Sequence, residues 1–281
     1  TTLFRSNEDW FAEQVEEVKV FVFDTQGKYI QTLTDNGHSL KSPDYRMLIP
    51  YRLKGCTAVV WAGKTDKFYQ LPTMDTGDPI NKLTLKYEPE NNISNNHLDA
   101  LWHSGPLLMF SSENISNTEN VSLVRNTNDI TIGITRGNNP VDASKYDIQL
   151  ITANNFYDYK NNVGESSKNI IYHPCSVEEE DSKTALQTRL HTLRFIKDAD
   201  TTFSITEKAS GKTIDIGGKT TINLIDYLLM SKPKMMGDQE YLDRRYEWDI
   251  NIRIGDKEEN GYIALSITIN NWTYWFQPTD M

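Results

Sequence analysis

The chain has 281 residues and is acidic, with 29 Lys and Arg against 39 Asp and Glu and a formal net charge of −10. This balance argues against a nucleic-acid partner, because neutralising phosphates requires clustered basic residues. Hydrophobic residues make up 38% of the chain and aromatic residues 11%, which is enough for packed cores and argues against disorder. No stretch has the length of a membrane-spanning helix, and no signal peptide is recognised.

Short alternating runs separated by turn residues predict an all-β protein. Residues 18–23 and 29–33 flank a turn at 24–28, so this unit is predicted to be a hairpin. Further strands of the first half are predicted at 45–49, 56–61, 83–87, 121–124 and 130–134. Residues 136–140 carry Gly and Pro without periodicity and are predicted to be a linker. We therefore expect an N-terminal domain at 1–138 and a C-terminal domain at 139–281.

The second half repeats this style and adds two helices. Residues 221–230 are predicted to be a short helix or a buried turn, and residues 238–246 are the other helical candidate. Residues 248–254 and 262–269 then predict a terminal hairpin. The remaining strands are predicted at 146–152, 170–172, 186–196, 203–205 and 213–216.

The last long strand is the main candidate for a contact with a partner chain. It alternates strictly and places four aliphatic side chains on one face, and an aromatic tail follows Asn270-Asn271. We expect Ile263, Leu265, Ile267 and Ile269 to fill the acceptor sandwich or a partner groove, and Trp272 and Tyr274 are further partner-strand candidates. A donor role for the strand fails if both of its edges are paired in the monomer. Only five residues follow Phe276, which favours a strand that completes its own domain.

The sequence contains no motif that assigns a catalytic residue, a metal site or a cofactor. None of the five histidines, His38, His97, His103, His173 and His191, lies in an HExxH motif, and ordinary surface or hydrogen-bonded roles are favoured over metal binding.

The cysteines and acidic residues give equally little support for chemistry. Cys56 and Cys175 are predicted to be free thiols, with a disulfide as the alternative, and without a CxxC pair structural zinc is not expected. Glu240, Asp243 and Glu247 share a helical face and are interpreted as a charged solvent face. A glycosidase pair is the alternative that strands could assemble.

Several segments in the same order resemble one known family, the fimbrillin-associated anchor family (FimB/Mfa2-like) of Bacteroides-type bacteria. The closing strand resembles that family's last motif, with Asn271 where glycine is usual. The other matching segments are VKVFVFDTQGKYIQTL at 18–33, VVWAG at 59–63, LVRNTNDITIGI at 123–134, and LIDYLL at 224–229 followed by QEYLDR at 239–244.

The resemblance implies two tandem transthyretin-like β-sandwich domains, with the one or two short helices in the second. It also implies a lipoprotein of the outer membrane that anchors or caps surface fimbriae, with other fimbrial subunits as partners and assembly by donor-strand addition. The lipid anchor would lie upstream of Thr1, since neither Cys56 nor Cys175 stands where a lipobox cysteine could. The favoured function is a non-enzymatic fimbrial anchor or minor subunit. The alternatives are a carbohydrate-binding surface module that uses aromatic platforms, and a glycan-active enzyme.

Overall fold

The computed structural model describes residues 11–110, 118–180, 185–257 and 261–277, which form two compact units. The first unit consists of Thr1–Glu88, Asp99–Thr127 and Asn155–Ser167, and the second of Pro89–Leu98, Asn128–Asn154 and Lys168–Met281. Each unit is therefore assembled from segments that are distant in sequence. The division at residue 138 stays a prediction, because compact packing does not show which segments fold independently.

The first unit contains a five-stranded and a three-stranded sheet. The larger sheet has the order β2-β1-β3-β7-β8, with β1 Glu17–Phe23, β2 Tyr29–Asp35, β3 Thr57–Gly63, β7 Leu101–Leu108 and β8 Val124–Arg125. The smaller sheet has the order β12-β5-β4, with β4 Tyr69–Gln70, β5 Leu85–Tyr87 and β12 Phe156–Tyr157. Its helices are α1 Phe11–Gln14 and the 3-10 turns His38–Lys41, Tyr51–Leu53 and Ile80–Lys82.

The β1–β2 hairpin forms where the sequence predicts it. The Asp24 carboxylate accepts hydrogen bonds from the backbone N–H groups of Gln26 and Lys28, both at 2.8 Å, and Gly27 takes the left-handed φ of +72°. Strand β1 is buried on both faces, with valines at 18, 20 and 22 on one face and phenylalanines at 21 and 23 on the other. One side of the larger sheet is thus part of a core that also includes Leu40 and Met109.

The segment 45–49, predicted to be a strand, is extended but belongs to no sheet of the described residues. Tyr45, Met47 and Ile49 pack against the core of the first unit while Arg46 and Leu48 face solvent. The alternation that suggested a strand therefore reflects an extended segment lying on a core without a partner ladder.

The second unit contains an eight-stranded and a five-stranded sheet. The larger sheet has the path β14-β15-β9-β19-β20-β17, with β10 paired to β9 and β21 paired to β20. The smaller has the order β18-β16-β11-β13-β6. Bounds in the larger sheet are β9 Thr127–Arg136, β10 Asn139–Val141, β14 Ser176–Glu180, β15 Ala185–Leu193, β17 Asp215–Ile216, β19 Glu247–Lys257, β20 Gly261–Ile269 and β21 Trp272–Trp275. Those in the smaller are β6 Ile93–Ser94, β11 Tyr146–Ala153, β13 Asn169–Tyr172, β16 Thr201–Glu207 and β18 Ile222–Asn223.

The parallel pair β9–β19 forms the apolar centre of the larger sheet. Ile132 lies opposite Ile250 and Ile134 opposite Ile252, and these four side chains are at most 1% exposed. Burying each of them contributes about 1.5–3 kcal/mol to folding. Residues 136–140, predicted to be a linker, belong to the β9–β10 hairpin, whose tight turn is formed by residues 137–138.

Both predicted helices of the second unit are confirmed, as α2 Leu224–Met230 and α3 Asp238–Arg244. The Asn223 side chain caps α2 by accepting from the Ile225 N–H at 3.3 Å. Helix α3 is fixed from its polar side, because Asp243 accepts two hydrogen bonds from the Arg194 guanidinium at 2.6 and 2.8 Å. The remaining helical segments of this unit are the 3-10 turns Glu90–Asn92 and Ala143–Lys145.

The predicted all-β fold, with sandwich-like units and short helices in the second, is confirmed. Among the described residues, none of the helices has both the length and the apolar character that crossing a membrane would require.

A buried asparagine explains part of the NTN motif at 126–128. The Asn128 amide donates to the Leu193 carbonyl at 2.8 Å and accepts from the Trp248 indole N–H at 3.3 Å. Asn128 is 4% exposed and Trp248 2%. Because a buried polar group must find a partner, this side chain ties β9, β15 and β19 together.

We predict that Asn128→Ala destabilises the second unit by about 1–3 kcal/mol, because it leaves the Leu193 carbonyl and the Trp248 indole without this partner. Urea unfolding followed by tryptophan fluorescence measures the change. Asn139→Ala, at an exposed position of the β9–β10 hairpin, is the matched control and should shift the midpoint little. Equal effects of the two substitutions would contradict the role assigned to Asn128.

Candidate partner-strand site

Strand β20, the last long strand, is paired along both edges. On one edge it runs antiparallel to β19 from Gly261 to Ile269. On the other edge β17 pairs with Ile263 and Ala264, and β21 pairs with residues 266–269. The remaining position is covered as well, since the Phe276 N–H donates to the Leu265 carbonyl at 3.1 Å. The predicted terminal hairpin is present, and β20 completes its own sheet.

The predicted alternation of β20 is interrupted by a β-bulge at Leu265. Arg253 of β19 lies opposite Ser266, but the next residue, Ile254, lies opposite Ala264. Leu265 is therefore the extra residue, and it is only half-buried, whereas Ala264 and Ser266 are buried. A Cβ on Gly255 would lie 3.1 Å from the Leu265 Cδ1, so the glycine on β19 makes room for the bulged side chain.

The other three aliphatic candidates are core residues of this sheet. Ile263 is 7% exposed, and Ile267 and Ile269 are fully buried. Both edges of β20 are paired, which is the condition under which a donor role for this strand fails. A direct contact between these residues and a partner strand stays a prediction.

Strand β21 turns back from β20 through Asn270-Asn271. Asn270 takes the left-handed φ of +52°, and Asn271 does not, so a glycine at 271 is not needed for this turn. Asn270 is held by two contacts with Asp249: its backbone N–H donates to the Asp249 carbonyl at 2.7 Å, and its side-chain oxygen accepts from the Asp249 N–H at 3.0 Å. The departure from the family motif therefore leaves the hairpin intact.

Trp272, Tyr274 and Phe276 alternate along the tail and lie on one face of it. The Trp272 and Tyr274 rings stack with centroids 6.3 Å apart, and Tyr274 meets Phe276 edge-on at 5.2 Å. Tyr227 of α2 contacts both Tyr274 and Phe276, at 5.9 and 6.2 Å. Because the rings are not coplanar and Phe276 is 7% exposed, this face is a packed aromatic cluster joining β21 to α2 rather than an open platform.

The outer edge of β21 directs hydrogen-bonding groups away from the sheet. The Phe276 N–H points to β20. Along an antiparallel strand, successive residues point their backbone N–H and C=O groups alternately towards and away from the paired strand. The Thr273 and Trp275 backbone groups therefore face away from β20. Trp275 is also 54% exposed, with the Arg253 guanidinium 5.8 Å from its ring centroid. An apolar strand edge of this kind can template the addition of another strand.

The opposite end of the same sheet has a different character. Strand β14 has the sequence SVEEE and pairs with β15. It is the edge strand at this end of the larger sheet, whereas the other end carries β21 with the exposed Trp275.

The predicted carboxylate cluster is not gathered into a single group. Asp243 is bound by Arg194, and Glu240 forms an ion pair with Arg244 at 2.7 Å. Glu247 is the first residue of β19, not part of α3, and lines a cavity of about 170 Å³. Two of the three acids are therefore engaged in ion pairs on or beside α3.

The histidines serve different roles. His103 is buried with its ring 4.4 Å from that of Trp61 and its Nε2 3.2 Å from the Tyr159 carbonyl. His173 lies 3.2 Å from the Asp147 carboxylate. His38 lies in the 3-10 turn that follows β2.

The structure gathers a group of side chains that sequence reasoning missed. His97, Cys175 and His191 each offer a ligand atom, and these atoms lie within 4.8 Å of one another. Both cysteines are free. The three residues are 78 and 16 positions apart along the chain, and no local motif marks such a group.

A substitution at Gly217 can test whether Phe276 of the C-terminal tail packs on the turn that contains Gly217. It has a φ of +60°, and a Cβ added to it would lie 3.0 Å from the Phe276 ring. We predict that Gly217→Ala destabilises the second unit by about 1–2 kcal/mol through backbone strain, and further through displacement of Phe276. Gly211 has a similar φ of +68° and open space around it, so Gly211→Ala is the matched control for strain alone.

The measurement is urea unfolding of both variants together with limited proteolysis of the C-terminal tail. The account predicts faster cleavage after residue 270 in Gly217→Ala only. Identical unfolding midpoints and cleavage rates in the two variants would show that Phe276 does not pack on this turn.

Comparison with solved structures finds proteins that share this fold. A proposed polysaccharide-binding protein from Bacteroides thetaiotaomicron is 28% identical with a TM-score of 0.83, over 98% of this chain and 94% of that one. A proposed adhesin from the same species is 24% identical with a TM-score of 0.77, over 95% and 92%. The fimbrial anchor protein Mfa2 from Porphyromonas gingivalis is 18% identical with a TM-score of 0.68, over 94% and 92%. A search of curated proteins finds no match.

The family comparison covers nearly the whole chain. The model of the fimbrillin-A associated anchor proteins Mfa1 and Mfa2 matches residues 1–278. This agrees with the segments that resemble that family in the sequence, and with a role beside other subunits of cell-surface fimbriae. The chain belongs to the Mfa2 family of fimbrillin-associated anchor proteins.

Proposed function

We propose that this chain is a non-enzymatic fimbrial anchor or minor subunit that attaches or terminates surface fimbriae at the outer membrane through β-strand complementation. Family membership supports the fimbrial role and the position at the cell surface. The observation that carries the strand mechanism is the outer edge of β21, where the backbone groups of Thr273 and Trp275 point away from the sheet.

In this mechanism a strand from another fimbrial subunit adds to β21 and extends the larger sheet of the second unit. Main-chain hydrogen bonds supply affinity, each contributing about 0.5–1.5 kcal/mol net. The exposed Trp275 ring offers an apolar contact beside the new strand. Aromatic side chains are enriched among the residues that dominate interface energetics.

The aliphatic residues of β20 have an indirect role in this proposal. Ile263, Ile267 and Ile269 anchor β20 in the core, and β20 in turn holds β21 in register. Tyr274 packs on Tyr227 of α2, and Trp272 stacks on Tyr274, so these rings hold β21 against the second unit. In this proposal these five residues support the strand to which a partner strand adds, while Leu265 is the bulge residue of β20.

Attachment to the outer membrane is proposed to use a lipid on a residue upstream of Thr1, as in the family. Detergent phase partitioning of the native protein from cells tests this part separately. Recovery in the detergent phase supports a lipid anchor, and recovery in the aqueous phase opposes it.

Trp275→Pro tests strand addition directly. Proline removes the Trp275 N–H, which points away from β20, so the β20–β21 ladder keeps its own hydrogen bonds. We predict that bacteria carrying only this variant release most fimbriae into the medium. The added strand would lose a main-chain hydrogen bond to residue 275, and the proline ring would hinder its pairing with β21. Electron microscopy and the ratio of shed to cell-bound fimbrial subunit measure the effect.

Trp275→Ala is the matched control, since it removes the ring but keeps the N–H. It should weaken attachment less than Trp275→Pro does. Thermal unfolding of both purified variants checks that the second unit stays folded. Full attachment of fimbriae in cells with folded Trp275→Pro protein at the surface would refute addition at β21.

Carbohydrate binding is a second candidate, supported by the name of the Bacteroides thetaiotaomicron relative and by the Trp272–Tyr274 pair. Aromatic rings can stack on sugars. If this function holds, Trp272→Ala should abolish the change in tryptophan fluorescence that a bound polysaccharide causes, while Trp275→Pro should preserve it. Strand complementation predicts no polysaccharide-dependent change in either variant.

A further inference from the structure

A second site in the second unit is independent of the β21 edge. It is built from three segments that converge at one end of β15. His97 follows β6, Cys175 precedes β14, and His191 lies within β15. Together they form the His97–Cys175–His191 cluster.

Backbone hydrogen bonds hold these three segments next to one another. The Cys175 N–H donates to the Arg189 carbonyl at 2.8 Å, next to the last pair of the β14–β15 ladder, Ser176 with Arg189. His191 follows two residues later on β15, on the same face as Arg189. On the other side, the His173 N–H donates to the Ser94 carbonyl at 2.8 Å and brings the segment that carries His97 alongside.

We propose that His97, Cys175 and His191 form a binding site for a divalent transition metal, Zn²⁺, that ties the segment after β6 to the β14–β15 hairpin. Their ligand atoms lie within 4.8 Å of one another, and the two imidazole ring centroids are 4.9 Å apart. Zinc bond lengths of 2.0–2.3 Å imply ligand separations of roughly 3.3–3.8 Å in a tetrahedral site. Separations of up to 4.8 Å would have to shorten by about 1–1.5 Å to reach this geometry.

The hydrogen bonding of His191 prepares it to bind a metal. Its Nδ1 lies 3.2 Å from the Leu98 carbonyl, which can only accept, so Nδ1 carries the proton. The lone pair is then on Nε2, which is buried and has no hydrogen-bond partner among the described residues. Histidine ligands of metals commonly donate their other ring N–H to a backbone carbonyl in this way.

A carboxylate and a guanidinium lie beside the cluster. The Asp129 carboxylate lies 3.6 Å from His191 Nε2 and is held in place by Arg189, whose Nε donates to it at 2.7 Å. Histidine binds a metal ion as the neutral imidazole. His97 is exposed and provides access from solvent.

Cys175 supplies the ligand that distinguishes the metal. Its thiol donates to the Arg189 carbonyl at 3.2 Å. On binding, the thiol proton leaves to solvent and the thiolate bonds to the metal. Two imidazoles and a thiolate suit Zn²⁺ or Co²⁺ rather than Ca²⁺ or Mg²⁺, which prefer oxygen ligands. Three protein ligands leave a fourth position for water.

The test uses the full chain without a histidine tag, reduced and freed of metal by chelation. Titration with Co²⁺ under nitrogen should give a thiolate-to-cobalt charge-transfer band in the near ultraviolet, saturating at one ion per chain. Added Zn²⁺ should abolish the band and raise the melting temperature. Cys175→Ser should eliminate the band, and His97→Ala, at an exposed position, should weaken Co²⁺ binding by more than about 10–100-fold.

Two controls separate this site from adventitious binding. Cys56→Ser removes the only other cysteine, and His173→Ala removes a histidine two residues from Cys175 that lies outside the cluster. Both should keep the band and the stabilisation by Zn²⁺. The proposal is overturned if the wild-type chain gives no charge-transfer band, if the band persists in Cys175→Ser, or if Zn²⁺ stabilises His97→Ala and Cys175→Ser as much as wild type.

Discussion

The requirement that every backbone group of a buried strand be paired governs the second unit. Strand β20 meets it with β19 on one edge and with β17, Phe276 and β21 in sequence on the other. A long apolar strand at this position would be an open template for aggregation if one edge were bare. The short strand β21 satisfies β20 and moves the free edge one strand outward.

Because the free edge of the sheet lies on β21 and not on β20, a partner strand meets β21 first. A partner that added to β20 would compete with β17 and β21, whereas one that adds to β21 needs no rearrangement. The aromatic face of β21 is engaged with Tyr227 of α2, so the strand is held flat before any partner arrives. Preorganisation of this kind lowers the entropic cost of association.

Local patterns predicted local structure well. The β1–β2 hairpin, α2, α3 and the β19–β20 hairpin all follow from periodicity and turn residues within about 30 residues of sequence, and the structure confirms them. The bulge at Leu265 could not be predicted, because strict alternation carries no sign of the extra residue that Gly255 accommodates on the neighbouring strand. The segment 45–49 shows the converse, since its alternation reflects packing on a core and not a ladder.

Long-range relations were beyond reach from a single sequence. The parallel pairing of β9 with β19 joins residues more than a hundred positions apart, and no turn signal marks it. The same holds for the His97–Cys175–His191 cluster, whose members come from three segments. The NTN motif was visible as a resemblance, but the reason for Asn128, a buried amide shared by Leu193 and Trp248, required the folded structure.

The measurement that tests the central claim most directly is hydrogen–deuterium exchange of the chain alone and in complex with its fimbrial subunit. The account predicts that the amides of residues 272–276 that face away from β20 exchange quickly in the free chain and become protected in the complex, while those of β20 are protected in both. Unchanged exchange along β21 on binding, with new protection on β14 or β2 instead, would contradict addition of the partner strand at this edge.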